Sequence, residues 1–271
     1  MKFSVLMSVY YKENPDFFDK ALESTINQTL KPNEIVIVLD GKLTTELYDL
    51  LDKYKTKFPG LINTIQLEQN VGLGKALEFG INNCKYDLIA RMDSDDICVP
   101  ERFEKQINFM VKNPDVKVLG SWIGEFEHDP EVIESVRKVP VEYDEILKYA
   151  KTRSPLNHMT VVYWKNCVIE AGNYQTLLMN EDYYLWVRML NKGFKMMNIP
   201  EILVLARAGS DMFKRRGGLR YIQSERQLQK TFLEMNFIDR KIFLFNIATR
   251  GLVRLLPNSI RGFIYKTLLR K

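Results

Sequence analysis

The chain has 271 residues and a formal net charge of +5. That length buries a large core and suits one domain, or one domain with an appendage, and the composition is ordinary for a soluble α/β protein. Cys84, Cys98 and Cys167 have no paired spacing and read as reduced, cytosolic thiols, which excludes a disulfide frame or a zinc site. No uncharged apolar run approaches the roughly 18–20 residues of a membrane span, and the Met-Lys start runs directly into a strand-like segment with no signal peptide.

Phe3 to Val9 reads as a short buried strand, broken by Tyr10-Tyr11-Lys12-Glu13-Asn14-Pro15. Phe17 to Thr29 has helical spacing. Pro32 separates it from Glu34 to Leu39, a near-continuous apolar run of the kind found in parallel strands covered on both faces, ending in Asp40-Gly41. A helix over Thr44 to Phe58 follows, then a strand from Ile62 to Leu67. Asn70-Val71-Gly72-Leu73-Gly74-Lys75 opens the next helix, and Leu88 to Met92 is the fourth strand.

This alternation is the signature of an open, mostly parallel sheet with helices on both faces, where ligands bind beyond the carboxyl ends of the strands. Tyr10, Asp40, Asn70 and Asp93 all fall at or just past such ends. The run Arg91-Met92-Asp93-Ser94-Asp95-Asp96 puts three carboxylates within four residues. Like charges this close repel, and Mg²⁺ or Mn²⁺ is one remedy, since it takes carboxylate oxygens and can keep positions open for phosphates. In an extended segment Asp93 and Asp95 would project to the same side. The alternative is a solvated acidic turn before the next helix.

The Asn70 to Lys75 loop is neither a Walker A loop, since Ala76 stands where Ser or Thr belongs, nor a G-x-G-x-x-G fingerprint. Its glycines allow close backbone approach to a ligand, or simply start a helix.

Pro100 to Lys112 reads as a helix and Val116 to Trp122 as a strand. Glu125 to Asp144 is irregular and acidic, with a helix over Tyr143 to Tyr149. His158 reads first as a hydrogen-bonded structural group, with catalysis as its alternative. Asn180-Glu181-Asp182 precedes a helix. Asn at the cap and acids in the first turn stabilise a helix by about 0.3–1 kcal/mol through the dipole; the alternative is that one of these acids points into a cleft as a general base, and the sequence does not choose between them. Ile202 to Ala206 is a further strand. Arg207 and Lys214-Arg215-Arg216 could pair with a diphosphate, or form a solvated basic loop.

In order and spacing, five segments resemble the family 2 glycosyltransferases, non-processive enzymes of bacterial surface-polysaccharide type. They are Ser4 to Tyr10, Glu34 to Asp40, Asn70 to Ala76, Ala90 to Asp96, and Asn180 to Tyr183. The Gln-x-x-Arg-Trp motif of processive synthases is absent. The resemblance implies a GT-A fold: a Rossmann-like, mostly parallel central sheet with helices on both faces. It implies a nucleotide-binding half over about 1–98 and an acceptor half over about 99–212.

It also implies inverting transfer from a nucleotide-diphosphate sugar, a UDP-sugar first among donors, to a glycan or lipid-linked acceptor hydroxyl. Tyr10 and Asp40 would contact base and ribose, and Asn70, Gly72 and Lys75 would line the nucleotide pocket. Asp95 would hold Mg²⁺ or Mn²⁺, with Asp93 nearer ribose or metal, and Asp182 would be the base. The rival classes are a sugar nucleotidyltransferase, whose Gly-rich, Arg-containing loop after the first strand is missing, and a non-catalytic nucleotide-binding or membrane-docking module.

Residues 213–271 match no motif. They carry 14 Lys+Arg against 3 Asp+Glu, a net of +11, whereas residues 1–212 carry 25 against 31, a net of −6. Ile242 to Ile247, Leu252 to Leu256 and Ile260 to Leu269 interleave apolar and basic residues, with Pro257 between two predicted helices. This basic helical appendage fits an anionic membrane surface, which would make the protein cytoplasmic and peripherally membrane-associated. Packing on the body or on a second subunit is the alternative, and the oligomeric state is left open. Nucleic acid fits less well, because the basic residues share their segments with large aliphatics.

Overall fold

The computed structural model describes residues 1–177, 180–208 and 219–255. The first half alternates strand and helix: β1 (Ser4–Val9), α1 (Pro15–Ile26), β2 (Glu34–Leu39), α2 (Thr45–Lys57), β3 (Ile62–Gln66), α3 (Leu73–Asn83) and β4 (Leu88–Arg91). Then come β5 (Ile97–Cys98), α4 (Arg102–Lys112), β6 (Val116–Phe126), β7 (Ser135–Arg137), α5 (Tyr143–Tyr149), β8 (Val162–Trp164), α6 (Lys165–Glu170), α7 (Glu181–Asn191) and β9 (Lys195–Arg207). Two helices, α8 (Leu219–Glu234) and α9 (Arg240–Leu255), end the described chain.

The strands form one sheet in the order β3-β2-β1-β4-β8-β6-β9-β5, with β7 paired to β6. β3, β2, β1 and β4 are mutually parallel, so the segments that leave their carboxyl ends share one edge. β8 runs antiparallel to both β4 and β6, which makes the sheet as a whole mixed.

Period-two alternation along β1 sends Val5, Met7 and Val9 to one face and Leu6 to the other. The first face packs Phe18 and Leu22 of α1, Leu47 and Leu51 of α2, and Phe103 and Ile107 of α4. The second packs Leu77 and Ile81 of α3, Trp186 of α7, and Leu228 and Phe232 of α8. α3 lies so close to the sheet that a Cβ on Gly80 would come 2.3 Å from Leu6 Cδ1. The expected boundary at residue 212 falls outside the described residues, but α8 itself joins the second core.

Three elements differ from expectation. β6 continues to Phe126 and pairs with the short β7, so part of the segment expected to be irregular is a hairpin. β9 begins at Lys195, well before Ile202, because Pro200 and Glu201 sit in a bulge opposite Ser121 and Trp122, where the register shifts. Pro lacks the ladder N–H and is tolerated at such a bulge. β5 has only two residues and is held by pairing with Val204 and Leu205 of β9.

Candidate active site

The chain bends at Ser94 and Asp95, between β4 and β5, and the acids of this turn converge. One carboxylate oxygen from each of Asp93, Asp95 and Asp96 lies within 4.8 Å of the others. Asp93 and Asp95 are half-buried and Asp96 is buried. Burial, and after it the charges of Asp93 and Glu13, push the Asp95 carboxyl up to about 7. Asp96 is raised well above the carboxylate range by burial and then by Asp95 and Asp93.

Cations frame this turn. Arg91, 1% exposed in the last position of β4, donates to Asp93. Its Nε and Nη1 find no acceptor among the described residues. Arg102, wholly buried on α4, donates from Nη2 to the Arg91 carbonyl at 2.6 Å. Arg207, at the end of β9, donates its main-chain N–H to Asp96 Oδ1 at 2.8 Å and its Nε to the Asp95 carbonyl at 3.3 Å. Its guanidinium lies 3.7 Å from the Phe17 ring centroid and 4.6 Å from that of Phe126, a two-sided cation–π contact. Ser94 donates to Glu13.

Hard oxygen ligands and like-charge repulsion fit a divalent cation of the Mg²⁺ or Mn²⁺ kind. Asp96 already accepts the Arg207 backbone N–H, and Asp93 the Arg91 guanidinium.

The other strand-end residues meet along the same edge. Asp40 is buried, and its two oxygens accept the backbone N–H groups of Val71 at 2.7 Å and Gly72 at 3.1 Å. Asn70, itself exposed, donates its side chain to the Asp40 carbonyl at 3.3 Å. Gly41 has φ +85°, and a Cβ there would lie 2.8 Å from the Asn70 nitrogen. Gly72 caps α3 at φ +86°, and Lys75 is exposed one turn on. Tyr10 is half-buried past β1, with its ring edge-on to Tyr11.

Asp182 sits half-buried in the first turn of α7. This helix end meets the α3 loop, for a Cβ on Gly74 would be 2.7 Å from Glu181 Cγ. The Tyr174 hydroxyl is raised, chiefly by burial. Asn180 occupies the cap position of α7 but makes no side-chain cap bond, and its Nδ2 donates to Ser224 Oγ at 3.1 Å.

His158 is tied into the fold by buried aromatic groups. Its Nε2 lies 2.7 Å from the Tyr174 hydroxyl, its ring packs edge-on against Trp186, and burial holds it well below the usual imidazole range. Lys214 to Arg216 lie outside the described residues. Sequence reasoning missed Glu13, Arg102 and Tyr174, and it gave no role to Arg91. A cation at the end of an apolar strand was the one visible signal.

A carboxylate turn at the carboxyl edge of parallel strands is the arrangement expected of a GT-A fold. The family model "Glycosyl transferase family 2" matches residues 4–175, and the chain belongs to that family. It is 44% identical over its whole length to 97% of an Escherichia coli protein named UDP-Gal:alpha-D-GlcNAc-diphosphoundecaprenol beta-1,3-galactosyltransferase. It is 41% identical over 97% of its length to 98% of the amylovoran biosynthesis glycosyltransferase AmsE of Erwinia amylovora. The fold matches a crystal structure of S. aureus TarS 1-349 in complex with UDP-GlcNAc with a TM-score of 0.70 at 20% identity. That match covers 99% of this chain and 77% of the other. The protein is a glycosyltransferase.

Proposed function

We propose that the enzyme transfers a hexosyl or N-acetylhexosaminyl group from a UDP-sugar to a hydroxyl of a lipid-linked acceptor, with inversion, in surface-polysaccharide synthesis. The observation that carries this reading is the three-carboxylate turn at the strand edge, with the first turn of α7, which holds Asp182, against the α3 loop. Full-length similarity to the E. coli enzyme, whose name gives UDP-Gal and a diphosphoundecaprenol acceptor, supports the donor and acceptor classes.

In this reading Asp95 and Asp93 hold Mg²⁺ or Mn²⁺, which when bound neutralises charge on the departing diphosphate. Arg91 holds Asp93 in place, and Arg207 fixes the main chain of the turn. Asp40 presents the Val71–Gly72 backbone, so it shapes the nucleotide pocket by positioning that loop as well as lining it. Tyr10, Asn70 and Lys75 line the same pocket. Asp182 takes the proton from the acceptor hydroxyl as that oxygen attacks the anomeric carbon from the face opposite the leaving group, a role typically worth about 10²–10⁴-fold. One displacement needs no carboxylate nucleophile. The basic C-terminal region brings the enzyme to the membrane where such an acceptor resides, and no helix among the described residues is long and apolar enough to cross it.

The test is a thermal-shift screen of UDP, GDP and dTDP with and without Mn²⁺. A ligand at 100 times its Kd stabilises by about 2.7 kcal/mol. A shift with UDP that grows with Mn²⁺ is expected, and no shift with any nucleotide would defeat the reading.

A further inference from the structure

We infer that the Leu244–Phe245 edge of α9 is the part of the described chain that enters an anionic lipid surface, while the opposite edge of the same helix locks it to the catalytic body. The reading above supplies the reason for a membrane. The wedge itself is tested without donor or acceptor.

α9 is two-sided. On the inner side Asn246 is 1% exposed and donates to the Lys151 carbonyl at 2.9 Å and to Gln229 Oε1 at 2.7 Å. Gln229 is buried on α8, and Ile242 and Phe243 pack against the second core. The turn before the helix is anchored by the buried Phe237 and Ile238, and Asp239 Oδ1 accepts the Ile242 N–H at 2.8 Å. A helix held by buried amide hydrogen bonds at its centre and packed apolar groups at its start cannot roll to expose that side without leaving them unpaired. Its orientation relative to the site is therefore fixed.

On the outer side Leu244 is 65% exposed and Phe245 59% exposed, adjacent large apolar groups in water. Lys241 and Ala248 flank them at helical spacing, both exposed, and Arg240 is exposed at the helix start. The charge is of one sign: beyond Asp239 the sequence has no acidic residue, and Arg240, Lys241, Arg250, Arg254, Arg261, Lys266, Arg270 and Lys271 are all basic. An apolar edge with the exposed Arg240 and Lys241 beside it, on a net basic segment, fits the boundary between acyl chains and anionic headgroups, where an interfacial helix buries its apolar side by about 5–10 Å. The basic residues act across a screening distance of about 8 Å at physiological salt, so the contact is salt-sensitive.

For the run from Ile242 the sequence offers an anionic membrane surface or packing on the body as alternatives. The structure divides it, giving Ile242 and Phe243 to the body and Leu244 and Phe245 to the outside.

The experiment is co-sedimentation of the full chain with vesicles of phosphatidylglycerol and phosphatidylethanolamine, and with phosphatidylcholine alone, at low and high salt. The double variant Leu244→Glu/Phe245→Glu should partition about a hundredfold more weakly, given the apolar area withdrawn, and should melt with the native protein because both side chains are already exposed. Arg240→Gln/Lys241→Gln should lose about thirtyfold on anionic vesicles and nothing on neutral ones. Native-like sedimentation of the Glu variant overturns the assignment. So does a native dimer that the Glu variant converts to monomer while vesicle binding persists, since the edge would then cover a second copy. Sugar transfer to a short, water-soluble acceptor is measured alongside. Its absence in the native protein would count against the proposed function and leave the vesicle result intact.

Discussion

The main-chain N–H of Arg207 donates to the Asp96 carboxylate at 2.8 Å, joining residues 111 apart in the chain. This bond ties the end of β9 to the acid turn, and the Arg207 side chain reinforces it between Phe17 and Phe126. Arg207→Met keeps the main-chain bond but removes the guanidinium and its Nε contact. It should destabilise the fold by about 1–2 kcal/mol in urea unfolding and weaken Mn²⁺-dependent stabilisation by UDP. A variant with native stability and a native UDP shift would show that the side chain holds nothing.

Asp40 uses one oxygen for each of two backbone N–H groups. Asp40→Asn replaces one acceptor with a donor facing a donor, at a cost of about 1–3 kcal/mol for the unpaired group. The expected result is a lower melting temperature together with a raised KM for the donor. If Asp40 acted only by touching ligand, the melting temperature of the free protein would stay where it was. Gly41→Ala should do similar damage, because its positive φ and the Asn70 backbone leave no room for a methyl group.

The Asp95 carboxyl stands at about 7 in the folded protein, raised chiefly by burial, against about 3.9 when unfolded. A raised acid binds its proton more tightly when folded. Its contribution to stability is therefore complete below about pH 4 and is lost as pH rises through 7. The metal-free protein should lose stability from this group between those limits, and Asp95→Asn should flatten that stretch of the profile. A cation needs the deprotonated form, so Mn²⁺ affinity should climb through pH 7. Titration of Mn²⁺ by calorimetry at pH 6 and pH 8 checks the sign.

The first hundred residues were legible because each strand is a short apolar run bounded by Pro, Gly or Asp, and helical spacing fills the intervals. β5 and β7 were not, since two or three residues carry no period and exist only through their partners β9 and β6. The acid run was legible as composition but not as shape. Asp93 and Asp95 converge through a bend rather than through strand alternation, and Asp96 joins them by facing the Arg207 backbone, which local sequence does not encode. Asn180 fills a cap position yet bonds to Ser224, 44 residues away, a tertiary override of a local preference. The two sides of α9 were illegible for a simpler reason: apolar residues occupy both.

The proposed reaction is a metal-assisted transfer with Asp182 as base. Its most direct measurement is the rate of labelled sugar transfer from a UDP-sugar to a lipid-diphosphate-linked acceptor by native enzyme and by Asp182→Asn, with Mn²⁺ present. The expected result is a drop in kcat of about 10²–10⁴-fold with an unchanged UDP thermal shift. Transfer by Asp182→Asn at the native rate would contradict it.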